Sequence, residues 1–332
     1  MKCLQLVSRR SVILVGLALA GLGMGPLRLA HADGYPAKPV QLVVPFPPGG
    51  AVDIVGRTIS KKLGGRLGQP IVVENKAGAG TVVGAAYVAN APADGYTLLI
   101  SSGSTFTVNP ALNPMLPYDP VKSYEPVGLV ARVPLILLAH RDVPVNNLRQ
   151  LIAAVQRTPD KFSYGSFGKG TTGHFAAELT WSAAGIKLMH VPYRGSAPAM
   201  PDLMGGQIPF TIDTVAAALP QLKAGKIKAI AVMGATRATQ LPDVPTVAES
   251  GFPGFSADSW LAVVAPRDLP AEARAKLHKA LAETMEDAEI RSKLIAAGLE
   301  PSYATGDAVL AQIEDELPRM RAIAQRAQIR AD

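Results

Sequence analysis

The first place where this sequence could do chemistry is a glycine turn at the end of a valine-rich run. In Val40–Asp53, VQLVVPFPPGGAVD, the apolar residues break on Pro45, Pro47 and Pro48, pass through Gly49 and Gly50, and then take helical spacing. That pattern reads as a strand, a tight turn and a helix start. Glycine lets the backbone approach a bound group, and the first amides of a helix have no internal acceptor, so such a turn suits an anion. Pro47 and Pro48 carry no N–H, which leaves Gly49, Gly50, Ala51 and Val52 as donors beside Phe46. Asp53 either caps the helix or faces the ligand. The plainer alternative is a tight β–α turn with no ligand.

A second constellation lies in Tyr164–His174, YGSFGKGTTGH, which leaves a strand and opens a helix. Ser166, Thr171 and Thr172 offer hydroxyls, Gly168 and Gly170 allow close backbone approach, and Thr172 is read as the N-cap. His174 either donates to a carboxylate or packs the helix, and Lys169 either adds charge to the site or is solvated. The third group is Ser101–Thr105, where Ser102, Ser104 and Thr105 follow a strand and either reach a cleft or cap locally.

Several other chemistries are excluded by spacing. Gly78–Gly84 has one residue too many before its last glycine for a dinucleotide fingerprint, and Gly170 after Lys169 breaks the phosphate-loop pattern. There is no GxSxG elbow, and His140, His174, His190 and His278 show neither HxH nor HExxH spacing, so no metal site and no cofactor are expected. An exported hydrolase using Ser166, His174 and Asp213 is the enzymatic alternative, although nothing in the spacing favours it over ligand contacts.

These groups must be positioned by a chain of 332 residues with a formal net charge of +7. Lys2, Arg9 and Arg10 precede the apolar run Ser11–Met24, and Ala30-His31-Ala32 is a small-x-small cleavage site, so residues 1–32 read as an export signal of the Sec or twin-arginine type. Removing its four basic residues lowers the net charge from +7 to +3, and no basic patch for nucleic acid is left. Cys3, the only cysteine, leaves with it, so a thiol-free, soluble, exported protein is expected.

From Asp33 onward, short β-rich runs alternate with helical patterns, which predicts an α/β fold with mainly parallel sheets. Strands are expected at Leu42–Phe46, Ile71–Val73, Thr97–Ile100, Phe162–Tyr164, Leu188–Val191, Phe210–Ile212, Ile227–Val232 and Trp260–Val264. Helices are expected over Thr81–Asn90, Leu148–Arg157, Gly173–Ala184, Ala197–Met204, Ala216–Lys223 and in the charged tail from Pro270 to Ala297. Pro134 divides the long apolar run Val127–His140 into a strand leaving one domain and another entering the next. In the last helix Leu310, Ile313, Leu317, Met320 and Ala324 share a face, and Pro318 should kink or restart it. The domains expected are 33–133 with 258–332, and 134–257, joined by two hinge crossings.

Four stretches are no longer generic: YPAKPVQLVVPFPPGGAVDIVGR, VVENKAGAGTVVGAAYVANAPADGYTLL, HVPYRGSAPAMPDLMGGQ and LPDVPTVAESGFPGF. In this order they resemble the periplasmic receptors of tripartite tricarboxylate transporters, the Bug or TctC-like proteins, over the whole chain after the signal. The resemblance implies a type II periplasmic binding-protein fold, a Venus flytrap that closes on a di- or tricarboxylate, an acidic amino acid, a nicotinate-type molecule or an aromatic acid. It also implies that the Tyr164–His174 turn faces the first turn across the cleft. Asp213 matches a family aspartate near the ligand, where it could pair with an amine or fix a water. Arg194 is read as holding its loop, and Trp260 as packing near the hinge, where it could stack a flat ligand. Val52 departs from the usual Thr or Ser of the family. The function expected is that of a monomeric, non-enzymatic receptor delivering its ligand to membrane permease subunits. A sensor presenting the ligand to a membrane kinase is the alternative.

Overall fold

In the computed structural model, which describes residues 34–158 and 161–330, the β-branched runs become strands and the runs of 3.6-residue spacing become the helices between them. The expected export signal, with Cys3, lies outside the described residues. The chain begins β1 (Val40–Val44), α1 (Ala51–Leu67), β2 (Ile71–Asn75), α2 (Val82–Ala89), β3 (Thr97–Ser102), α3 (Asn109–Leu112) and β4 (Tyr124–Val133). It continues through β5 (Leu135–His140), α4 (Leu148–Arg157), β6 (Ser163–Ser166), α5 (Thr172–Ala184), β7 (Met189–Pro192), α6 (Ser196–Met204), β8 (Phe210–Thr214), α7 (Val215–Lys223) and β9 (Ile227–Val232). It ends with β10 (Ser259–Pro266), α8 (Ala271–Glu286), α9 (Ala288–Ala296), β11 (Glu300–Thr305) and α10 (Gly306–Arg326). A 3₁₀ turn at Ala79–Thr81 precedes α2, and a π-helical turn at Ser104–Val108 precedes α3.

The strands form a six-stranded sheet in the order β11-β4-β10-β3-β1-β2 and a five-stranded sheet in the order β7-β6-β8-β5-β9. Both sheets are mixed, and the reason is the path of the chain. Strands joined by a helical crossover are parallel: β1 with β2 and β3, and β6 with β7 and β8. Strands that carry the chain between sheets run against their neighbours: β10 against β3 and β4, and β5 against β8 and β9.

Pro134 stands between β4 and β5, where the apolar run changes sheets. On one side of it Val133 pairs with Ser259, and on the other Leu135 pairs with Thr214. The outgoing and returning chains therefore cross side by side, with the Ala257 amide bonded to the Met233 carbonyl.

The restart expected of the last helix at Pro318 does not occur. α10 runs unbroken through Pro318, with Val309, Ile313, Leu317 and Ala324 buried and Leu310 and Met320 only partly so. The carbonyl that Pro318 leaves without a donor belongs to Glu314, on the exposed face, where water can satisfy it. Beyond Pro318 the helix packs Ala324, with Ile329 after it, against Phe175 of α5. It thus leans from the six-stranded sheet onto a helix of the five-stranded one.

Candidate functional site

Between the two sheets lies a cavity of about 30 Å³ whose wall is built from helix beginnings. Gly50 is the N-cap of α1, and Ala51 and Val52 are its first two residues. Thr172 is the first residue of α5, Gly195 and Ser196 are the N-cap and first residue of α6, and Thr214 is the N-cap of α7. Four helix N-termini thus converge on one small space. Ser102 at the end of β3 and Ser259 at the start of β10 add hydroxyls, and Phe46, Phe167, Val133 and Leu261 close the rest. Among the described residues no lysine, arginine or carboxylate lines it. Each helix start contributes roughly 0.3–1 kcal/mol to a nearby anion, and up to about 2 when partly buried. Positive potential here comes from backbone and hydroxyls alone.

Within the first turn, Asp53 does not face this cavity. Its buried carboxylate accepts the Gly49 amide at 3.0 Å, Asn75 Nδ2 at 2.9 Å and the Arg57 guanidinium at 2.9 Å. These bonds hold its pKa below the usual carboxylate range against the opposing effect of burial. Gly49 is thereby removed from the donor set, which leaves Gly50, Ala51 and Val52.

The second turn is organised differently from its reading in the sequence. Thr171, not Thr172, caps α5, accepting the His174 amide on its hydroxyl. The Thr172 amide donates to Ser104 Oγ at 3.0 Å, so Ser104 and Thr172 meet across the two sheets. Ser166 is turned inward: its hydroxyl reaches the Gly168 carbonyl at 3.2 Å and His190 Nε2 at 2.8 Å. His174 is buried and stacks on His190 at 4.3 Å, with Tyr164 on the other face of His190 at 4.8 Å. The Ser166–His174 pair imagined for a hydrolase is not formed; Ser166, fully buried, bonds His190 instead. Thr105 also points away, bonded to Ser101 and Thr81 in the interior.

Asp213 is fully buried one layer behind the cavity. Its Oδ1 accepts the Ser196 hydroxyl at 2.6 Å and the Thr214 amide at 2.7 Å, while Oδ2 has no partner. Burial pushes its pKa up to about 6. It touches the cavity only through Ser196 and Thr214. Trp260 packs in the core, stacked on Phe106 at 5.7 Å with Nε1 bonded to Glu316 at 2.8 Å.

The sequence did not single out Pro47, Val133, Phe167, Gly195, Ser196, Thr214, Ser259 or Leu261 as cavity residues. Ser196 stood inside HVPYRGS and Thr214 followed Asp213. Neither shows the glycine-rich signature that marks the first two turns.

Outside the cavity a wider vestibule of about 590 Å³ shares Phe46, Pro47, Phe167 and Gly195 with it and brings in Lys169 and Arg194. Its two sides touch. A Cβ on Gly80 would lie 2.2 Å from the Lys169 carbonyl oxygen, and one on Gly195 2.9 Å from Pro47 Cδ. Glycine is what permits both approaches.

The histidine stack carries a testable pH effect. Burial lowers the pKa of His174 to about 4 and that of His190 to about 3, so the unfolded chain binds more protons below pH 6.5. Their contribution makes the fold less stable as pH falls from 6.5 toward 4. Asp213 acts oppositely, because its folded pKa is raised: its contribution weakens as pH rises from 3.8 toward 6. His174→Gln separates the two. Its melting temperature should gain on the wild type progressively as pH falls from 6.5 to 4, and a constant difference across that range would contradict the assignment.

Residues 55–329 match the sequence pattern of the tripartite tricarboxylate transporter family receptors. Among solved structures, the periplasmic binding protein BugD is 36% identical, with a TM-score of 0.85 covering 89% of this chain and 99% of its own. Rpa4515 of R. palustris with adipate is also 36% identical, with a TM-score of 0.85 and coverage of 89% and 98%. MatC of Rhodopseudomonas palustris with bound malate is 32% identical, with a TM-score of 0.83 and coverage of 87% and 99%. The two mixed sheets have the type II periplasmic binding-protein fold of these relatives.

Proposed function

Because the chain belongs to the tripartite tricarboxylate transporter receptor family, we propose that it captures a small organic carboxylate in the periplasm and delivers it to the membrane permease subunits of a tripartite transporter. Capture is by closure of two domains, 33–133 with 258–332 and 134–257, on the ligand. The convergence of four helix N-termini on a cavity with no charged lining carries this reading. One carboxylate trades its hydration for the amides of Gly50, Ala51 and Val52 and the hydroxyl of Ser102. Because these donors are fixed before binding, little reorganisation opposes capture. The adipate and malate bound by two relatives support a dicarboxylate.

Asp213 shapes this selectivity from behind. The Ser196 hydroxyl spends its hydrogen on Asp213, so toward the cavity it offers lone pairs rather than a donor. The carboxylate therefore sits against α1, and the Ser196 side takes a ligand hydroxyl, amine or bridging water.

The test is a thermal-shift screen over mono-, di- and tricarboxylates, acidic amino acids and aromatic acids, followed by calorimetry. Stabilisation rises with ligand concentration over affinity, so micromolar binders register clearly. Dicarboxylates should give the largest shifts. No shift with any carboxylate at millimolar concentration would overturn the proposal.

Val52, a residue of the cavity wall, sets a second expectation. Threonine has nearly the same shape and adds a hydroxyl that can bond a polar group on the ligand. Val52→Thr should raise the preference for malate over succinate roughly two- to ten-fold, the value of one net hydrogen bond. An unchanged ratio by calorimetry would place the ligand away from Val52.

A further inference from the structure

The turn from Ser166 to Gly170 carries the closest approach of the five-stranded side to the six-stranded side. Its Lys169 carbonyl leaves no room for a Cβ on Gly80, and a Cβ on Gly170, at φ +71°, would run into Asn109 Oδ1. Asn109 Nδ2 donates in turn to the Gly80 carbonyl. Gly80 and Asn109 therefore form one surface, and the turn lies on it.

Behind the turn stands the histidine stack, bonded to both of its ends. His190 Nε2 meets Ser166 Oγ at 2.8 Å, and that hydroxyl bonds the Gly168 amide at 3.3 Å and the Gly168 carbonyl at 3.2 Å. At the other end the Gly170 amide donates to His174 Nδ1 at 3.4 Å. This bond dictates a protonation state. Nδ1 accepts only while it carries no hydrogen, so His174 must be neutral, with its hydrogen on Nε2. A proton on Nδ1 would set two N–H groups against each other.

The surroundings offer an imidazolium nothing in return. Neither ring bonds a carboxylate among the described residues. Lys169 in the turn adds positive charge that both rings feel, and Glu178 of α5 is held by the Tyr164 hydroxyl. Tyr164 itself covers the far face of His190.

We propose that His174, backed by His190, is a positioning residue that holds the Ser166–Gly170 turn in the shape that docks on Gly80 and Asn109, and that acid releases it. The proposal rests on the capture reading above and adds the condition under which the closed receptor lets go. When the cleft opens, water can take the Gly170 amide, and a charged His174 becomes tolerable. The closed form binds the proton less readily than the open one, so falling pH favours opening. Burial, which lowers the pKa of both rings, acts in the same direction.

The experiment measures adipate binding and dissociation by the full-length protein from pH 7 to pH 4.5, with folding at each pH checked by circular dichroism. His174→Leu keeps apolar bulk but cannot accept the Gly170 amide. It should speed dissociation roughly five- to ten-fold at pH 7, the effect of one lost hydrogen bond. His174→Gln, whose amide oxygen can accept it, should recover most of that loss. As pH falls to 4.5, wild type should lose about three-fold or more in affinity relative to His174→Gln. Titration of adipate and of Asp213 is common to both proteins and cancels in this ratio. Equal dissociation from the Leu and Gln variants at pH 7, or parallel pH profiles of wild type and His174→Gln, overturns the proposal and leaves carboxylate capture standing. Hydrogen exchange over residues 166–170 without ligand gives a second readout, corrected for the intrinsic effect of pH. Protection should fall with pH in wild type and stay level in His174→Gln, and a level profile in both overturns the proposal. If wild type binds no carboxylate the capture reading falls, and the exchange profile still decides whether His174 holds the turn.

Discussion

Gly50→Asp is expected to abolish carboxylate binding while leaving the protein folded. Gly50 has φ −83° and ψ 170°, ordinary extended geometry for any residue, and a Cβ there would meet only Ser196 Oγ, at 3.9 Å. No backbone strain and no steric clash are therefore introduced. Gly50 is also the N-cap of α1 and makes no side-chain cap bond, and aspartate is among the best N-caps. Its carboxylate would accept the first-turn amides of α1, the same donors that a ligand carboxylate needs. The variant would in effect carry its own anion. The expected result is a melting temperature at or above wild type and at least a 100-fold loss of affinity, about 2.7 kcal/mol. Gly50→Ala is the control, since a methyl group keeps the amides free and should cost no more than a few-fold. Unchanged affinity in Gly50→Asp would remove the α1 terminus from the site.

The contrast between the first turn and the other three explains what the sequence makes legible. Local signals survive translation into structure. The break at Pro134 falls where the chain changes sheets, and the helix over Leu148–Arg157 begins at Asn147, whose side chain accepts the Gln150 amide. The turn at Gly49–Val52 announces itself because prolines and glycines are adjacent and the next residues are helical. The starts of α6 and α7 carry no comparable signature. Ser196 and Thr214 belong to the cavity only because β6, β7 and β8 lie side by side and deliver their following turns to one edge of the sheet. That is a property of strand order, which pairwise spacing does not encode. His174 shows the same limit in reverse. Its position in the first turn of α5 left a ligand donor and a packing histidine both open, and it is His190 on a neighbouring strand that draws it into a stack. Asp53 differs again: its partner Asn75 is 22 residues away, at the end of the adjacent strand.

Gly80→Ala is expected to leave the fold standing and to prevent the sheets from meeting over the ligand. Gly80 has φ +60°, a left-handed conformation that costs an alanine on the order of 1 kcal/mol. That penalty lowers the melting temperature modestly and arises whether or not the cleft is closed. The larger effect comes from across the cleft. The new Cβ would sit 2.2 Å from the Lys169 carbonyl oxygen, a backbone atom in the turn before α5 that cannot swing aside as a flexible side chain would. The closed contact is then forbidden, while the amides of Gly50, Ala51 and Val52 stay where they were. Association of a carboxylate with the exposed α1 terminus should keep its rate. Dissociation should quicken, because the Thr172 and Ser196 side no longer seals the site, and affinity should fall at least ten-fold for every acid that binds. Small-angle scattering should show wild type compacting on ligand addition and the variant remaining unchanged. A loss confined to the association rate, or a variant that still compacts, would mean that the Gly80–Lys169 contact takes no part in closure. Capture would then rest on the helix termini without a seal on this side of the cleft.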